Sequence, residues 1–263
     1  MAYDHQKIYH RAWSQLGPPL RPPADVAVAI REQIKDRHGR TLLLGVTPEL
    51  ADVAPDLVAI DRNIAMVAHV WPGNTAHRRA IVGDWRKTNF STGAFSTCIA
   101  DGSLSFLTFP DEIVRLFDEL VRILEKGGRA VFRLYLSPDV PEKTSTLRDQ
   151  ALSGQIKNFH AFKIRLAMSL AAQGPVPQVC VADILDLFNS QFANRDELAR
   201  VTGWSRGQID TIDFYRESSV IFSLPTQDQL LSTTRAIFPG AHLVPSGTYE
   251  MSELCPLLVV DLR

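Results

Sequence analysis

Between Arg40 and Leu136, short apolar runs alternate with turns, and successive runs end on a carboxylate. The first is Thr41-Leu42-Leu43-Leu44, continuing through Gly45-Val46-Thr47-Pro48-Glu49-Leu50. Leu57-Val58-Ala59-Ile60 ends on Asp61, Ala80-Ile81-Val82-Gly83 on Asp84-Trp85, and Ser96-Thr97-Cys98-Ile99-Ala100 on Asp101-Gly102. An uninterrupted Leu42-Leu43-Leu44 has no polar face, so it suits a strand covered on both sides, as in a parallel sheet between helix layers. Residues 110–125 carry Ile113, Leu116, Phe117, Leu120 and Leu124 at helical spacing, with Lys126-Gly127-Gly128 as the expected stop. A strand over Arg129 to Leu136 follows. Strands alternating with helices favour right-handed crossovers and a doubly wound α/β sheet. Ligands bind at the carboxyl edge of such a sheet. Carboxylates recurring at the strand tips there suit a nucleoside cofactor lying across the edge.

The flanks read differently. Residues 1–23 form an aromatic, histidine-rich head, with Tyr3, His5, Tyr9, His10 and Trp13 ahead of a proline-rich link at Gly17-Pro18-Pro19-Leu20-Arg21-Pro22-Pro23. Tyr9 and Trp13 are four apart, which predicts a shared helix face. Residues 24–36 read as a helix, with Val26, Ala29, Ile30 and Ile34 on one side. Residues 138–206 change to helical periodicity, broken at Gly174-Pro175-Val176-Pro177, with Asn194 as an N-cap. This stretch is expected to be a helical cap inserted over the ligand edge of a single domain spanning residues 1–263. Ala241 to Val244 and Pro256 to Leu262, joined by a loop of about a dozen residues, predict an antiparallel closing pair.

Bulk properties exclude some roles. Apolar residues make up 45% and charged residues 22%, so the chain can build a core. A net charge of −1 offers no general attraction to nucleic acid or an anionic membrane. No apolar run reaches the roughly 18 residues of a membrane span, and the first ten residues lack a signal-peptide core. Cys98, Cys180 and Cys255 are too far apart for metal-ligand spacing and read as reduced core thiols. His69, Trp71 and His77 have no Cys or acidic partner at ligand spacing, so no metal is expected. The expectation is a cytoplasmic monomer or homodimer that handles a small molecule, with no nucleic-acid or membrane partner.

The order of these elements resembles the class I S-adenosylmethionine-dependent methyltransferases, over residues 40–136 and the last twenty or so. The resemblance implies a three-layer, mostly parallel sheet with an antiparallel closing strand. It implies S-adenosylmethionine as cofactor, with Gly45, Val46 and Thr47 in the turn near its methionine part. It puts Asp61, followed by Arg62, on the ribose hydroxyls. Asp84 would hold the adenine, with Trp85 or Met66 flanking the purine face. Asp101, Gly102 and Ser103 would border the methyl group. The turn departs from the family pattern. Leu43 stands where an acidic residue is usual, and Thr47 and Glu49 stand where two further glycines would be. Glu49 could face the cofactor's ammonium or begin the next helix.

Each residue also has a plainer role. Two carboxylate oxygens on Asp61 match two vicinal hydroxyls, but a strand-terminal Asp can also cap a helix. Trp85 and Met66 could be core. Methyl transfer needs alignment above all, and a general base only where the nucleophile arrives protonated. Candidate bases are His160, His10 and His5. Phe159, His160, Lys163 and Arg165 could face the substrate, though a solvated helix face is the simpler expectation. Tyr9, Trp13 and Arg21 could form a lid or an aromatic clasp on the cap. A nicotinamide enzyme would want a G-x-G-x-x-G turn, which is missing. The functional expectation is O- or N-methylation of a small molecule. The alternative is a non-catalytic or non-methylating relative that acts as a binding protein.

Overall fold

The computed structural model describes residues 10–263. Seven strands form one sheet: β1 (Thr41–Leu44), β2 (Leu57–Asp61), β3 (Arg78–Val82), β4 (Phe95–Asp101), β5 (Leu124–Arg133), β8 (His242–Val244) and β9 (Leu257–Asp261). Their spatial order is β3-β2-β1-β4-β5-β9-β8. The first five run parallel, and β9 lies antiparallel to both β5 and β8. The chain starts in the middle of the sheet at β1, winds outward to β3, then returns through β4. That reversal opens a crevice above the carboxyl ends of β1 and β4.

The leucine run explains the layering. Leu42 and Leu44 point to one side, where they meet Ile113, Leu116, Phe117, Leu120 and Ile123 of a helix over Asp111–Ile123. Leu43 points to the other, against Val26, Ile30 and Ile34 of a helix over Ala24–Ile34. Both faces are thus buried, giving three layers.

Some expected boundaries move. Lys126-Gly127-Gly128 is not the stop of the long helix, which ends at Ile123; Leu124 already pairs with Phe95 in the sheet. The register then shifts before Arg129 meets Thr97. Gly127 supplies the positive φ of +76° that this bulge needs. A Cβ on Gly128 would stand 2.9 Å from the Glu125 carbonyl oxygen. The strand expected to run to Leu136 ends at Arg133. The strand expected over residues 80–85 spans Arg78–Val82, because Gly83 to Trp85 turn away.

The cap holds helices over Thr144–Leu152, Phe159–Ala171, Val181–Gln191, Arg195–Thr202 and Arg206–Asp210. Helical structure continues past residue 206 through a 3₁₀ segment at Thr211–Tyr215. A two-stranded antiparallel pair, β6 (Gln178–Cys180) with β7 (Ile221–Ser223), closes it. Strands of three residues are too short to show a period in sequence. The helix Phe159–Ala171 is the cap's central rod, with eleven of its thirteen residues buried. A solvated face for His160 and Lys163 is therefore wrong: a helix wrapped on all sides has no polar face. Phe159, Phe162, Phe188, Phe192 and Trp204 pack around it. Among the described residues no helix is long and apolar enough to cross a membrane.

Candidate functional site

A cleft opens at the carboxyl edge of β1, β2 and β4, in two lobes that share Asp61, Met66, Trp85 and Phe106. The outer lobe adds Arg62, Asn63, Asp84 and Arg86. The inner lobe reaches Gly45, Val46, Thr47, Asp101, Gly102 and Ser103.

The floor begins at Gly45. Its φ of +96° is left-handed, and its N–H donates to the Ile60 carbonyl at 2.8 Å. A Cβ there would point toward Asp61 Oδ2, 4.0 Å away. Val46 and Thr47 are buried beyond it. Only a 3₁₀ turn, Pro48–Leu50, follows before β2. Glu49 is in that turn, so it does not open a long helix.

Asp61 ends β2. Its Oδ1 accepts the Asn63 backbone N–H at 2.8 Å. The following helix, Ile64–His69, is capped by the Asn63 side chain, which accepts from Ala65 and Met66. Asp61 is therefore not the N-cap, and its Oδ2 has no hydrogen-bond partner among the described residues. Burial pushes the Asp61 carboxyl up to about 6, against the opposing pull of the Asn63 N–H and the Arg62 charge. Trp85 is held in place by its indole N–H, which donates to the Ile60 carbonyl at 2.7 Å. Asp84 is less free than the sequence implied. Arg86 grips both its oxygens, and those hydrogen bonds hold its carboxyl below the ordinary range. Arg86 also pairs with Glu112.

Asp101 ends β4 and is tied to Arg133 on β5, with side-chain exposures of 3% and 0%. Arg133 also donates to the Pro19 carbonyl at 2.7 Å and to the hydroxyls of Tyr135 and Tyr249. Burial works against the guanidinium charge, but Asp101 and this ring of oxygens outweigh it and hold Arg133 well above its ordinary value. Gly102 has φ +64°, and a Cβ there would stand 2.8 Å from the Tyr135 ring. The Ser103 hydroxyl is buried without a partner among the described residues.

The head lies across this edge. Its described part is a 3₁₀ segment, His10–Gln15, and the proline-rich link; Tyr9 and His5 lie outside the described residues. The link is anchored through its backbone. Pro19 O accepts from Arg133 and from the Tyr135 hydroxyl at 2.9 Å, and Pro18 O accepts from Asn158 at 2.6 Å. Trp13 and Leu20 line the inner lobe. Arg21 sits over the Trp13 ring at 6.0 Å and pairs with Glu49. Glu49 Oε2 and Trp13 Nε1 are buried with no partner among the described residues. His10 stacks on His69 with ring centroids 4.8 Å apart and does not line either lobe.

His160 is not placed to act as a base. Its Nε2 lies 3.0 Å from the Gln15 carbonyl, so that nitrogen carries the proton and fastens the head to the cap. Burial, then the nearby Lys163, pushes it down to about 3, which keeps it neutral. Phe159, Lys163 and Arg165 also lie off the cleft walls. Arg165 pairs with Glu142, and the fully buried Lys163 reaches Thr211 Oγ1 at 3.3 Å. Their neighbour Ile164 is the residue of that helix that lines the cleft, with Phe222 of β7 and Leu224 just after it. Sequence reasoning missed these three, and also Leu20, Phe106 and Tyr135. The apolar run Val220 to Leu224 was the visible signal for two of them.

Comparison with known proteins agrees with the topology. Residues 45–132 match the family described as a methyltransferase domain. The chain has the class I S-adenosylmethionine-dependent methyltransferase fold. Among solved structures, a proposed S-adenosylmethionine-dependent methyltransferase of Methanococcus maripaludis aligns over 99% of this chain and 94% of its own, with TM-score 0.50 and 13% identity. A proposed zinc-dependent alcohol dehydrogenase of Rhodobacter sphaeroides aligns over all of both chains, with TM-score 0.56 and 10% identity. A proposed exported protein of Bordetella parapertussis aligns over all of this chain and 80% of its own, with TM-score 0.53 and 14% identity. At such identities the likeness carries the fold alone. A search of curated proteins finds no match. Among the described residues no group of three or more His, Cys, Asp or Glu could hold a metal ion.

Proposed function

We propose that the protein binds S-adenosylmethionine in this cleft and transfers its methyl group to a small molecule. The observation that carries the reading is Asp61: a half-buried carboxylate at the tip of β2, with one oxygen uncommitted, between the Gly45 turn and the Met66 and Trp85 side chains. The residues fit the cofactor. Two carboxylate oxygens can accept from both ribose hydroxyls. Gly45 leaves room for a close approach. Glu49 Oε2 is an orphan acceptor and Trp13 Nε1 an orphan donor, complementary to the ammonium and carboxylate of an amino acid. Glu49 would then stand in for the acid missing at Leu43. Asp84 retains one lone-pair site for an adenine amino group once Arg86 is satisfied.

When bound, the cofactor supplies a methyl group already activated by a sulfonium. This chain's residues supply enclosure and alignment. The head, through Trp13 and Leu20, and the cap, through Ile164, Phe222 and Leu224, cover the inner lobe and keep water out. Asp101 is committed to Arg133 and His160 to Gln15. Neither residue is therefore assigned as the base for a nucleophile that arrives with a proton.

Calorimetric titration with S-adenosylmethionine, S-adenosylhomocysteine and NADH tests the reading. Saturable binding of the first two and not the third is expected. Binding of NADH alone would move the assignment to a nicotinamide enzyme. Binding of none would favour a non-catalytic relative that works through its cap.

A further inference from the structure

The two sides of the inner lobe differ in chemistry. Gly45, Thr47 and Asp61 form the polar side. The facing side is Leu20 from the head, Phe106 and Tyr135 from the sheet domain, and Ile164, Phe222 and Leu224 from the cap. The one polar group among these six side chains is the Tyr135 hydroxyl, and it already donates to the Pro19 carbonyl. Among the described residues no charged side chain lines the facing side, and Asp101 at its margin is neutralised by the fully buried Arg133. An ion placed here would lose its water and meet no counter-charge, which is strongly unfavourable. Two polar atoms of the inner-lobe lining lack a partner among the described residues: Trp13 Nε1, and the hydroxyl of Ser103, a residue only 2% exposed. A buried hydroxyl left unpaired is destabilising, and a ligand that pairs it regains that loss.

We infer that the acceptor is a small, uncharged, largely apolar molecule that offers one hydrogen-bonding group to Ser103 and is enclosed jointly by head and cap. This rests on the methyltransferase reading. It goes further in excluding acidic, basic and phosphorylated acceptors, which the fold itself would admit.

The test uses the full chain saturated with S-adenosylhomocysteine, whose own affinity is measured first. Three probes built on one naphthalene ring are then titrated: 1-naphthol, 1-naphthoate and 1-naphthylmethylammonium. 1-Naphthol should bind at least about tenfold more tightly than either ion, because only the ions carry the uncompensated desolvation. Either ion binding as well as 1-naphthol, or no probe binding to the saturated protein, overturns the inference. Ser103→Ala should weaken 1-naphthol while leaving naphthalene unchanged; equal binding of 1-naphthol to both proteins removes Ser103 from the site. Ile164→Glu should abolish 1-naphthol binding, and retained S-adenosylhomocysteine affinity shows that the variant is folded. Failure of S-adenosylhomocysteine to bind the unaltered protein is a separate result. It refutes the methyltransferase reading, and the acceptor class falls with it.

Discussion

Protonating Asp61 should weaken cofactor binding, and the structure says at what pH. An ionised carboxylate only accepts hydrogen bonds, so it can take one from each ribose hydroxyl; a protonated one brings a donor of its own and loses a site. Burial sets the Asp61 carboxyl at about 6, despite the Asn63 N–H and Arg62. Cofactor binding favours the ionised form and is therefore linked to loss of that proton. Below about pH 6 the affinity should fall about tenfold per pH unit, so that at pH 5 it is about ten times weaker than at pH 7.5. Asp61→Asn keeps the shape and cannot titrate. It should bind more weakly at pH 7.5, by about 1.5–3 kcal/mol for each charge-assisted hydrogen bond lost, and show no step near pH 6. The two curves should approach each other in acid. The assay is calorimetry with S-adenosylhomocysteine from about pH 5 to 8. A flat profile for the natural protein, or an Asn variant that binds equally well at pH 7.5, would refute the reasoning. The free protein carries the opposite sign. Because folding raises this carboxyl, the folded state holds the proton more tightly, and Asp61's contribution to stability is lost as pH rises through about 6.

Three further outcomes follow from buried groups. Burial lowers Lys163 to about 7, so its charge opposes folding fully below that pH, progressively less above it, and not at all beyond 10.5. Lys163→Met should therefore raise the melting temperature more at pH 6 than at pH 9.5, by an amount worth on the order of 3–5 kcal/mol at most; an equal gain at both would assign the effect to packing. Arg133→Met leaves Asp101 buried and unpaired and removes one of the two donors to the Pro19 carbonyl, and should lower stability by about 3–5 kcal/mol in urea titration. Arg133→Met with Asp101→Leu should recover most of that loss, and no recovery would show that the head contact dominates. Gly102→Ala puts a side chain at φ +64° against Tyr135 and should cost about 1–3 kcal/mol; a neutral change would show that the Tyr135 ring yields easily.

The sheet was legible because its signals are local. Leu42-Leu43-Leu44 has no polar face, and a strand with no polar face needs cover on both sides. The stripe from Ile113 to Leu120 repeats at the helical period, and Leu57 to Asp61 ends where its carboxylate does. The structure gathers Gly45, Thr47, Asp61, Met66 and Trp85 at one cleft because all follow from strand order, which alternation of strand and helix largely determines. The other wall depends on contacts between residues far apart in the chain. Leu20, Tyr135, Ile164 and Phe222 meet only because Arg133, Asn158 and His160 hold the carbonyls of Pro19, Pro18 and Gln15. His160 shows the difference most plainly. In sequence it is a titratable ring among aromatics, open to a catalytic role. In the fold it is a neutral clasp, because desolvation depends on everything packed around the ring and none of that is written in its neighbours.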